Sequence, residues 1–221
     1  MRYAFALVLT VFCAGCRNES SPSAVNAGSV RTPPPAGDSR PVIVAFGDSL
    51  TAGFGVDPGQ SYPDFLQQEL DSRGYGYRVV NQGVSGDTST DGVARVSMAT
   101  ALKPAIVILE LGANDGLRGL PVATTRSNLD RLIRALRNGG AAVVMAGITL
   151  PPNYGPDYIA AFENQYRDLA HQYRVPLIPF LLEGVAGTTE FMQRDGLHPN
   201  VEGNRRVAAT VMKTLEPLLR K

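Results

Sequence analysis

A single three-layer α/β/α sandwich, with helices on both faces of a five-stranded parallel sheet, is the fold class this sequence predicts. Three observations point to it. From residue 41 onward, short apolar runs alternate strictly with longer amphipathic stretches, the signature of a β-then-α chain. The runs lack the alternation of a strand with one wet face; Ala105-Ile106-Val107-Ile108-Leu109 suits a strand covered on both sides. Finally, 221 residues with 44% hydrophobic content supply one sizeable core rather than two, once an N-terminal region is set aside.

Taken in order, the strands are expected at residues 42–46, 78–81, 105–111, 141–147 and 175–179. Helices are expected between them at 61–72, 88–102, 122–137 and 158–173, with a last one at 201–219. In the third helix Leu129, Leu132, Ile133 and Leu136 fall at i, i+3, i+4 and i+7, while Arg131, Arg134 and Arg137 face away. That stripe packs on a sheet. Parallel strands joined by right-handed crossovers place ligands beyond their carboxyl ends, where strand order reverses. Five polar features fall at that edge: Ser49 after the first strand, Gly83 after the second, Asn114 after the third, the Pro151-Pro152-Asn153-Tyr154 loop after the fourth, and His198 after the fifth.

The N-terminus has the build of a targeting segment. Arg2 precedes an apolar stretch from Ala4 to Phe12, and the small residues Ala14-Gly15 stand directly before Cys16. The stretch is too short to span a bilayer. It resembles the lipobox of bacterial lipoproteins, with Cys13 where that signal most often has Leu. The resemblance implies a signal peptide over residues 1–15 and lipidation at Cys16, hence a membrane anchor at the cell envelope; a soluble periplasmic or secreted form is the alternative. Residues 16–40, rich in Ser, Pro, Gly and Ala with Pro33-Pro34-Pro35 inside, read as a disordered tether. The folded domain is expected over residues 41–221. Both cysteines lie ahead of it, so no internal disulfide can staple it.

Lys and Arg number 21 against 20 Asp and Glu, with no basic block, so no electrostatic footprint for nucleic acid exists. Only two histidines occur, and no cysteine spacing of the zinc type, so neither a metal nor any other cofactor is expected. A monomer acting on a small-molecule substrate is the expectation.

Chemistry concentrates in a few residues. A serine hydroxyl is a poor nucleophile until an adjacent base takes its proton and a third group holds that base in the right tautomer. Ser49, in Gly47-Asp48-Ser49-Leu50, sits where a strand gives way to a Gly-rich turn; by itself it is also a good helix-capping serine. His198, in Asp195-Gly196-Leu197-His198-Pro199, has an acid three residues before it. His171 lies on a helical pattern far from any motif and reads as a surface residue. Asp48 suits loop bracing better than a place in a triad. Glu110, inside a buried strand, has two readings, pairing with a buried cation or a place at the strand edge, and the sequence favours neither.

Four blocks in order, Gly47-Asp48-Ser49-Leu50, Asn81-Gln82-Gly83-Val84-Ser85-Gly86, Leu111-Gly112-Ala113-Asn114-Asp115 and Asp195-Gly196-Leu197-His198-Pro199, resemble the SGNH, or GDSL, hydrolase family. The run from Leu111 to Gly119 is similar to its secreted bacterial thioesterase, arylesterase and lysophospholipase branch. The resemblance implies a flavodoxin-like sheet of order 2-1-3-4-5 and an acyl-enzyme on Ser49, with His198 as base and Asp195 as orienting acid. It also implies an oxyanion hole made of the Ser49 and Gly83 N–H groups and the Asn114 side chain. Phe54, Val56, Leu117, Leu120, Tyr154 and Tyr158 are candidates to line an apolar acyl trough. A lipid-derived or other small ester is the implied substrate. An acyltransferase or carbohydrate O-acyl esterase would use the same residues, and a silent tethered binding protein would have no need of them.

Overall fold

The computed structural model describes residues 38–221; the leader segment, Cys16 and the tether up to residue 37 lie outside the described residues. Five parallel strands, β1 (Val42–Gly47), β2 (Arg78–Gly83), β3 (Ile106–Leu109), β4 (Ala142–Ala146) and β5 (Leu177–Ile178), form one sheet of order β2-β1-β3-β4-β5. Every residue of β1 and β3 is buried, as their unbroken apolar runs require, whereas edge strand β2 is only partly covered along its length.

Among the described residues seven α-helices surround the sheet: α1 (Ser49–Ala52), α2 (Tyr62–Ser72), α3 (Ser89–Ala101), α4 (Ala113–Leu117), α5 (Val122–Asn138), α6 (Pro156–Tyr173) and α7 (Val201–Leu215). Helix α2 packs on α7, while α5 packs on α3 and α6, giving the two outer layers. The predicted stripe of α5 is its buried face, with Leu129, Leu132, Ile133 and Leu136 all inside the core. Helix α3 starts where Thr88 accepts from the Asp91 N–H and the Asp91 carboxylate accepts from the Thr88 N–H at 2.9 Å, a reciprocal cap that fixes the chain just after the β2 turn.

The expected last helix, 201–219, is α7 followed by a 3₁₀ turn from Glu216 to Leu218, where Pro217 cannot continue an α-helical ladder. The β5 run is shorter than expected because only Leu177 and Ile178 pair with β4. No helix among the described residues is long and apolar enough to cross a membrane.

Candidate active site

The chain leaves β1 through Asp48, whose carboxylate Oδ1 accepts the Leu50 N–H at 3.0 Å and so caps α1. Ser49 is therefore the first residue of a one-turn helix. Gly53 closes that helix in the left-handed region, its N–H returning to the Ser49 carbonyl at 3.1 Å. The capping residue is thus Asp48, and Ser49 is left free of that task. Its Oγ lies 2.9 Å from His198 Nε2.

His198 is held from both sides. Its Nδ1 is 2.7 Å from Asp195 Oδ2, while Asp195 Oδ1 accepts the N–H groups of Leu197 at 2.9 Å and His198 at 3.1 Å. One carboxylate therefore folds the turn and orients the ring. Desolvation pushes the Asp195 carboxyl up, but the hydrogen bonds from the His198 ring and the two N–H groups outweigh it and hold the group below the ordinary carboxylate range. An ionised Asp195 fixes the proton on Nδ1, which leaves Nε2 as an acceptor facing the serine hydroxyl. Gln193 ties the two halves of the site together, donating from Nε2 to the Phe54 carbonyl at 2.6 Å and the Pro199 carbonyl at 2.9 Å. The Phe54 ring also lies against His198, with centroids 4.6 Å apart.

Asn114 opens α4. Its Nδ2 donates to the Asp87 carbonyl at 3.0 Å and to Asp48 Oδ2 at 3.2 Å. Asp115, fully buried, pins that helix to α3 by accepting the Ser89 N–H at 2.7 Å. The loop from Val84 to Asp87 is braced in turn by Arg95. Its guanidinium binds Asp87 Oδ2 at 2.5 Å, the Gln82 carbonyl at 2.9 Å and the Gly47 carbonyl at 2.8 Å, and lies 4.1 Å from the Phe46 ring centroid. Nothing in the sequence singled out Arg95; its partners come from three separate segments.

Gly83 departs from the expectation. It ends β2 level with Gly47, and a Cβ there would stand 2.2 Å from the Ala52 backbone nitrogen, so α1 covers it. Its N–H donates to Asn81 Oδ1 at 2.9 Å instead of pointing to a substrate. Of the two glycines in this block, the one that borders the cavity with Ser49 and Asn114 is Gly86, three residues on, in the left-handed region at φ +88°. No hydrogen bond among the described residues uses the Ser49 or Gly86 N–H. Position within the motif could have found Gly86: a strand ending level with Gly47 needs further residues to climb over α1 to the serine.

Ser49, Asn114 and His198 lie at one cavity of about 610 Å³. Its walls are apolar, but only Phe54 and Leu117 of the expected trough contribute. Tyr154 and Tyr158 instead donate their hydroxyls to the Leu117 and Leu120 carbonyls, each at 2.7 Å, and prop the loop after α4. Ile148, Leu150, Phe180, Leu182 and Met192 supply the remaining large surface, from the loops beyond β4 and β5. His171 is exposed on α6, as expected of a surface residue.

The chain matches the GDSL-like Lipase/Acylhydrolase family over residues 45–206. It is similar to the esterase TesA of Pseudomonas aeruginosa, 46% identical over 178 residues that cover 80% of this chain and 89% of TesA. It is 36% identical to thioesterase 1/protease 1/lysophospholipase L1 of Escherichia coli K12, over 80% of this chain and 84% of that one. A crystal structure of TesA superposes with a TM-score of 0.78, covering 80% of this chain and 99% of the other.

Proposed function

The chain belongs to the GDSL-like lipase/acylhydrolase family, and from that premise we propose that it is a serine esterase cleaving carboxylic esters or thioesters of apolar acyl groups through an acyl-enzyme on Ser49. One observation carries the reading: a serine hydroxyl, a histidine and a carboxylate in hydrogen-bonded series, 2.9 Å and 2.7 Å apart, at the mouth of an apolar cavity. His198 takes the Ser49 proton as Oγ attacks the acyl carbon, Asp195 stabilises the imidazolium, and His198 then returns the proton to the leaving alcohol or thiol. Water repeats the cycle on the acyl-enzyme. Charge that develops on the carbonyl oxygen is received by the Ser49 N–H, the Gly86 N–H and the Asn114 amide, which keeps its bond to Asp48 and turns its other N–H from the Asp87 carbonyl to the substrate; a single such donor contributes about 10²–10³ in kcat. Gly86 replaces Gly83 in that role because it borders the cavity.

The apolar walls favour acyl chains of several carbons over acetyl. Each methylene buried contributes about 0.8 kcal/mol, roughly fourfold in kcat/KM, until the chain outgrows the cavity. A series of p-nitrophenyl esters from acetyl upward, run beside acyl thioesters and a lysophospholipid, checks this. The expected result is a rise with chain length and then a plateau. A maximum at acetyl, or activity confined to acetylated sugars, overturns the substrate assignment.

We also propose that Cys16 is the lipidated N-terminus of the mature chain and that the tether presents the domain at a membrane surface, on the support of the lipobox-like order of Arg2, the apolar stretch and Ala14-Gly15-Cys16. Cells fed labelled fatty acid should incorporate label into the wild-type protein and none into Cys16→Ser. Equal labelling of both, or of neither, overturns it.

A further inference from the structure

Glu110, the residue that immediately follows β3, has no exposed surface. Its Oε2 accepts the Asp48 N–H at 3.1 Å and the Thr51 hydroxyl at 2.8 Å. The carboxyl fills the place of a side chain at position 47, since a Cβ on Gly47 would stand 2.3 Å from Oε2. Glu110 therefore contacts the turn before Ser49 and the helix after it, and the Asn81 amide completes the hold on α1 by donating to the Thr51 carbonyl at 2.8 Å. The Asp48 and Glu110 side chains are both without exposed surface, and the bond from the Asp48 N–H to Oε2 keeps the two acids side by side.

Two ionised acids side by side in a dry interior repel strongly, and the repulsion is relieved when one of them keeps its proton. Each carboxyl accepts two hydrogen bonds, and how they are spread over its oxygens decides which one keeps it. Asp48 accepts the Leu50 N–H on Oδ1 and the Asn114 amide on Oδ2, the coordination an anion needs. Glu110 Oε1 is buried and meets no N–H or hydroxyl donor.

We propose that Asp48 and Glu110 form a carboxylate–carboxylic acid pair holding one proton and one charge, with the proton on Glu110, and that Glu110 is thereby a positioning residue that sets Ser49 and Asn114 for acyl transfer. The pair rests on the esterase reading only for its effect on turnover. Burial pushes the Asp48 carboxyl up to about 6, partly offset by the Leu50 N–H and the charge of His198; burial first and the Asp48 charge second hold Glu110 well above the ordinary range. Tyr62 from α2, Tyr166 from α6, Asp87 with its Arg95 partner, and His198 face the pair. Above about pH 6 Asp48 is the anion that anchors Asn114; below it a second proton removes the charge and loosens that hold.

Two independent readouts test this. In the infrared, the substrate-free protein at neutral pH should show the carbonyl band of a buried protonated carboxyl that shifts in D₂O and is missing from Glu110→Gln. In kinetics, Glu110→Gln, which mimics the neutral acid, should keep kcat within about threefold, while Glu110→Leu, which leaves the Asp48 N–H and Thr51 hydroxyl unpaired, should lose about tenfold or more in kcat with little change in KM. Asp48→Asn should likewise lower kcat and flatten the acid limb of the pH profile. If Glu110→Leu does not fold, the band and the Gln variant decide alone. Absence of the band, or a Gln variant that folds as the wild type does and loses tenfold or more, overturns the proposal. A wild type with the band but without esterase activity would instead sink the functional reading and leave the proton pair standing.

Discussion

Ser49→Ala should lower kcat by about 10⁶-fold and abolish labelling by a fluorophosphonate, with the fold unchanged. The size follows from cooperation: without the hydroxyl, His198 and Asp195 have no proton to move and no nucleophile to prepare. What remains is binding and the oxyanion donors. Folding is spared because the hydroxyl bonds only His198 Nε2, while α1 is held by Asp48, Gly53, Thr51 and Asn81 through groups that the substitution does not touch. Thermal unfolding and circular dichroism check the second half. Retained labelling by the alanine variant would remove Ser49 from its role and send the search to another nucleophile.

The sheet was legible because its strands are apolar without interruption and its long helices repeat at 3.6 residues. Both are one-dimensional signals. Helices α1 and α4 were not, since four or five residues span too few turns to show a period; their starts are set by Asp48 and by Gly112 in the left-handed region. The triad members were legible as residue types in short motifs. The glycine was not, because Asn81-Gln82-Gly83-Val84-Ser85-Gly86 offers two, and the choice between them depends on how far the chain must climb after leaving the sheet beside Gly47.

Residues whose meaning is a contact across the chain were out of reach from the sequence. Arg95 looks like any helix arginine until the Gly47, Gln82 and Asp87 oxygens converge on it. Glu110 offered two readings, a buried cation or the strand edge; it does stand at the end of β3, but its partners are Asp48 and Thr51, 62 and 59 positions away. Tyrosines 154 and 158 were read by their hydrophobicity, but it is their hydroxyls that act, each on a carbonyl of the loop after α4.

The contrast between His198→Ala and Asp195→Asn tests how the site divides its labour. Losing His198 removes the only base that, among the described residues, hydrogen-bonds Ser49 Oγ, and the expected cost matches that of losing the serine, about 10⁶-fold in kcat. Asp195→Asn keeps an oxygen for the Leu197 and His198 N–H groups, so the turn survives, but it turns an amide NH₂ toward Nδ1 and favours the tautomer with the proton on Nε2. The imidazole must then change tautomer before it can accept from Ser49, and the imidazolium loses its counter-charge. A cost of about 10⁴-fold is expected, smaller than for histidine. The Asp195 side chain is 37% exposed, so water can stand in for part of what the carboxylate supplies. Equal losses in the two variants would mean that His198 has no competence as a base unless Asp195 is ionised beside it, and the carboxylate would have to be counted as a full partner in proton transfer.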